Sequence, residues 1–123
     1  MPARPKYLNL MQIRLPLPAF VSILHRMSGA ALFLALPLML WWLQRSLTSF
    51  NTFAALKAAL AHWPLKLVML ALLWAYLHHL CAGIRHLALD LDAGTELATA
   101  RLTARLVLGV SLALTAVVGA ALW

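Results

Sequence analysis

Residues 63–90 read WPLKLVMLALLWAYLHHLCAGIRHLALD, an apolar run that closes on three of the chain's five histidines. The run up to His86 is long enough, at roughly 20 residues, to cross ~30 Å of hydrocarbon as a helix. A helix places His79, Gly83 and His86 at i, i+4 and i+7, on one face, with Tyr76 one turn before and Asp90 one turn after. Ionisable side chains are expensive at membrane depth and mark functional positions there. A histidine followed one turn later by glycine suits a flat metal macrocycle such as a haem: the imidazole reaches the metal and the missing side chain lets the ring approach the backbone.

The rest of the composition agrees with a membrane setting. The chain has 123 residues, 64% hydrophobic and 11% charged, and a mean hydropathy of +0.88. No soluble domain of this size needs that much apolar surface, so the expected class is an all-α integral membrane protein. Ten Lys and Arg against three acids give a net charge of +7. These charges flank apolar runs and form no patch of their own, which reads as membrane topology and not as nucleic-acid binding. One cysteine, Cys81, excludes an internal disulfide, and there is no Cys-x-x-Cys-His for covalent haem attachment, so any haem is of the b type. A Gly-rich dinucleotide loop and a cysteine cluster are also missing, so the chain holds neither flavin nor iron–sulfur centre and is not an enzyme on its own.

Three spans are expected in a single domain. Residues 1–21, with Arg4, Lys6 and Arg14 among leucines and with Pro16 and Pro18, read as an extended or interfacial lead-in. Asn9, Gln12, Arg14 and Pro16 interrupt it too often for a secretory signal. The first span covers about 22–43, bent at Pro37, and a polar loop with a short helical turn around Phe53 to Leu60 follows. The second covers about 64–86, its proline in the first helical turn, and the third about 104–123, entered through Arg101 and Arg105.

Arg4, Lys6, Arg14, Arg26, Arg85, Arg101 and Arg105 fall on the side of the N-terminus, and Arg45, Lys57 and Lys66 on the other. The N-terminus is therefore expected in the cytoplasm and the C-terminus in the periplasm. Trp41, Trp42, Trp63 and Trp123 then form the outer aromatic belt.

The start of the first span carries a second set of polar residues. Ser22, His25, Arg26 and Gly29 stand at i, i+3, i+4 and i+7, level with the end of the second span. If Arg85 and His86 mark the boundary, His79 lies ~10 Å deeper. Arg26, His25 or His86 could pair with haem propionates at the edge. Ser22 and Arg26 could equally hydrogen-bond a quinone carbonyl and stabilise charge as it is reduced. His78 points ~100° away from His79 and is expected to pack or to contact another subunit. Cys81 reads as inert and Asp90 as a cap or a partner near His86.

Arg4-Pro5, the run Ser22-Ile-Leu-His25-Arg26-Met-Ser28-Gly29, and His79-x-x-x-Gly83-Ile84-Arg85-His86-x-x-x-Asp90 together resemble the cytochrome b membrane-anchor subunit of succinate dehydrogenase, complex II. The similarity spans nearly the whole chain. Lys6 and Leu89 depart from the family's usual residues at their positions. The resemblance implies a helix bundle shared with a second small membrane subunit and haem b held between the two, each giving one axial histidine. On this chain that ligand is His79, not His78. It also implies that Ser22 and Arg26 contact ubiquinone, with Arg26 and His25 near the propionates, and that an iron–sulfur subunit and a flavoprotein dock on the cytoplasmic face of the bacterial inner membrane. The competing classes are a fumarate reductase or menaquinone-linked anchor, and a non-redox transporter or assembly scaffold. A transporter should show a deep charge on its path or paired repeats, and neither is found.

Overall fold

The computed structural model describes residues 12–123, and Arg4, Pro5 and Lys6 of the lead-in lie outside the described residues. The protein is all-helical: α1 is Leu17–Thr48, α2 Phe50–Leu60, α3 Trp63–Asp90 and α4 Leu97–Leu122. α1, α3 and α4 are each long and apolar enough to cross a membrane.

Two stretches differ from the sequence reading. α1 starts at Leu17, inside the expected lead-in, because Pro16 takes the N-cap position and Pro18 falls in the first turn, where no backbone N–H is needed. The loop expected at Gln44 to His62 is mostly helix, since α1 runs on to Thr48 and α2 fills 11 residues. Ser49 and Thr52 start α2 with a reciprocal cap: the Thr52 N–H donates to Ser49 Oγ at 3.2 Å and the Ser49 N–H to Thr52 Oγ1 at 3.1 Å.

The turn after α3 closes by backbone groups. The N–H of Ala93 reaches Ala88 O at 3.0 Å and that of Asp92 reaches Leu89 O at 3.0 Å, with Asp92 in the left-handed region at φ 57°. This is the Schellman arrangement, with aspartate where glycine is usual. Asp90 ends the helix exposed and is not the cap.

Small residues set the packing. Val21 of α1, Ala82 of α3, and Ala104 and Val107 of α4 form the buried core, with Leu17, Cys81 and Leu108 against it. These positions lie at the start of α1 and α4 and the end of α3, so α3 runs antiparallel to both. Farther along, Gly119 lets α4 approach α3: a Cβ there would stand 2.7 Å from Leu70 Cδ2. Large side chains such as Phe33 and Leu34, 74% and 76% exposed, face outward. Such a surface suits lipid or a neighbouring helix and not water.

Ala82→Leu should test this core. Extra methylenes at a fully buried position between three helices cost about 1–3 kcal/mol, and the expected outcome is a lower melting temperature in detergent.

Candidate functional site

α1 and α3 bring three imidazoles together at the core end of the bundle. His79 lies against α1 in the gap left by Gly29, where an added Cβ would stand 2.8 Å from its Cε1 and 3.3 Å from its Nδ1. The His25 ring stacks on it, centroids 4.2 Å apart and planes 13° from parallel. His86 follows, tilted 42° to His25 at 4.9 Å. His25 thus sits between the two α3 histidines, one turn of helix apart on either side of Gly83.

The hydrogen bonds decide which nitrogen of His79 is free. Nδ1 lies 3.0 Å from the His25 carbonyl oxygen and 3.2 Å from Ser28 Oγ. Ser28 commits its own proton to the same carbonyl at 2.8 Å. A carbonyl oxygen only accepts, so Nδ1 carries the ring proton and donates it. Nε2 then keeps its lone pair and makes no hydrogen bond among the described residues. A backbone carbonyl fixing Nδ1–H is the usual support for a metal-ligating imidazole.

Among the described residues no three His, Cys, Asp or Glu side chains converge to hold a bare ion. The arrangement offers one ligand to a metal that brings most of its own coordination, which fits a macrocycle. An apolar cleft of about 820 Å³ begins one turn beyond the pair, at Leu32 and Tyr76, and rises past Met69 to Trp123.

The other sequence candidates fall as follows. Ser22 is half-buried and Arg26 exposed, at the same end of α1 as His25. Gly83 faces His25, whose Nε2 would lie 3.7 Å from a Cβ there, an ordinary contact that a side chain could make. His78 is not a subunit contact. It is fully buried within this chain, beside Trp74 at 5.1 Å. Its two ring nitrogens and Trp74 Nε1 have no hydrogen-bond partner among the described residues. His78 shares the inward stripe of α3 with Ala75, Ala82 and Arg85.

Arg85 was read only as a boundary charge, yet it is buried and bonded to α4. The 75/78/82/85 spacing was the signal for both residues, because helical periodicity puts them on one face.

Three apolar helices, with imidazoles from two of them packed together at one end, define a membrane-spanning helical subunit. Residues 1–118 match the family model described as the succinate dehydrogenase/fumarate reductase transmembrane subunit, and the chain belongs to that family. It is similar to proteins named succinate dehydrogenase cytochrome b556 subunit. That of Coxiella burnetii is 40% identical over 98% of this chain and 97% of the relative. That of Paracoccus denitrificans is 37% identical over 76% and 72%, and that of Rickettsia felis 34% over 91% and 87%.

Gly29→Ala should displace the His79 ring and lower the melting temperature, by about 1–3 kcal/mol of overpacking. Gly109→Ala, where a Cβ meets nothing within 4 Å, should leave it unchanged or raise it. The pair of melting curves separates a close-approach glycine from a merely helical one.

Proposed function

We propose that this chain is the cytochrome b anchor of succinate dehydrogenase in the bacterial inner membrane, holding haem b with a partner subunit and forming part of the ubiquinone-reduction site. The observation that carries the proposal is the fixed Nδ1–H of His79, which leaves Nε2 as a ready axial ligand. Haem b held there supplies a one-electron redox centre.

The remaining work belongs to side chains of this subunit. His79 would hold the haem from this chain through Nε2, together with a histidine of the second small membrane subunit. Arg26, His25 and His86 stand at the membrane edge to pair with the propionates. Ser22 donates to a quinone carbonyl oxygen, and the Arg26 guanidinium offsets negative charge as that oxygen is reduced. The excess of basic residues at this end orients it to the cytoplasm, where an iron–sulfur subunit and a flavoprotein bring electrons from succinate. The relatives named above are all succinate dehydrogenase subunits, which favours succinate over fumarate as the reactant.

His79→Ala should abolish the b-type band in the reduced-minus-oxidised spectrum of membranes containing the co-expressed complex. An unchanged band removes the role assigned to His79. Arg26→Ala should lower succinate-driven ubiquinone reduction by about tenfold or more, as expected for loss of a charge-assisted hydrogen bond, while succinate oxidation with a soluble dye persists. Equal loss of both activities would show failed assembly and not a quinone role.

A further inference from the structure

Arg85 ends the inward stripe of α3 only 8% exposed. Its Nε donates to Thr103 Oγ1 at 3.0 Å and an Nη2 proton to the Ala100 carbonyl at 3.3 Å. Both acceptors are neutral, and a guanidinium has five N–H donors, so its charge and three of its protons have no partner among the described residues. The chain has three acids, Asp90, Asp92 and Glu96, and none of them bonds to Arg85. Residues 1–11 contain no acid that could serve. A largely buried cation with no anion beside it among the described residues favours a counter-ion from another molecule.

A pocket of about 220 Å³ lies beside the guanidinium between α3 and α4, walled by Ile84, Ala88, Thr103, Leu106 and Val107. Ile84 and Leu106, on its rim, are 61% and 53% exposed. This is a different place from the histidine face. Arg85 is ~120° around α3 from His79 and ~100° from His86, and it meets α4 where they meet α1. It sits where the apolar run gives way to the acidic turn, with Arg101 and Arg105 exposed on α4 at the same end.

We propose that this pocket binds the phosphate of an anionic phospholipid from the leaflet at that end, the cytoplasmic one in the orientation given above. Basic pockets between helices at a membrane edge suit phosphorylated headgroups, and a guanidinium grips phosphate through paired N–H bonds. The apolar rim takes the first part of an acyl chain. A carboxylate from a partner subunit would have to cross that rim and shed its water, whereas a lipid phosphate already lies at this depth.

The test is native mass spectrometry of the purified intact complex after exchange into phosphatidylglycerol or phosphatidylcholine. Wild type should retain phosphatidylglycerol through delipidation about tenfold more than Arg85→Gln, in line with a charge-assisted contact. Ala88→Leu fills the pocket without touching the bonds to Thr103 and Ala100, and it should lose the lipid while quinone reductase activity persists. Equal retention by wild type and Ala88→Leu overturns the proposal. So does displacement of the lipid by inorganic phosphate, which would make this a simple anion site. Should Arg85→Gln fail to assemble, Ala88→Leu decides alone. The readout is bound lipid mass, so it stands apart from the haem assignment.

Discussion

One backbone carbonyl sets the chemistry of this bundle. The His25 oxygen accepts from His79 across the α1–α3 interface, and without it neither nitrogen of that imidazole would have a defined role. The contact needs the two helices unusually close, and Gly29 permits that by having no side chain where the ring lies. Ser28 strengthens the same acceptor point by donating to it and receiving from the ring. Three positions within little more than one turn of α1, His25, Ser28 and Gly29, therefore serve one residue of α3. The small core at Val21, Ala82, Ala104 and Val107 holds the helices at that separation.

Much of this was legible before any coordinates. Runs of apolar residues of bilayer length give three helices, and the i, i+4, i+7 spacing singles out His79, Gly83 and His86. What sequence could not supply is the register between helices. The His25 ring between two histidines of α3, and Gly29 rather than Gly83 beneath His79, depend on how α1 slides along α3. Nothing in a one-dimensional pattern fixes that offset. The same limit hid Arg85 and His78. In an apolar segment both sides of a helix look alike, so hydropathy does not say which polar residue points at a neighbouring helix and which at lipid. Arg85 looked like a topology charge because its neighbours in sequence are interfacial, yet its neighbours in space are Thr103 and Ala100. α2 is expected from the sequence only as a short turn around Phe53 to Leu60, and its earlier start at Phe50 has a local reason. Its cap uses threonine where the familiar box has an acidic or amide side chain, and the surrounding polar residues read as loop.

Polar groups divide between two faces of α3. One face meets α1 through the imidazoles of His79 and His86, packed on either side of His25. The other meets α4 through the Arg85 guanidinium, while His78 is buried on the same inward stripe beside Trp74. A helix carrying two such faces cannot rotate without exposing one of them to lipid, at a cost of several kcal/mol for each buried polar group left unpaired. The orientation of α3 about its own axis is thereby fixed from both sides.

The placement of close approaches along the bundle has a mechanical meaning. α3 and α4 touch over nearly their full length, from Arg85 with Thr103 to Leu70 with Gly119. α1 packs closely on α3 around Val21 to Gly29, and farther along, from Leu32 to Met39, it lines the large cleft together with α2 and α3. The bundle is thus closed at the end where the imidazoles stack and open at the end of the cleft, so bending that follows changes in bilayer thickness falls on the cleft end and on α2.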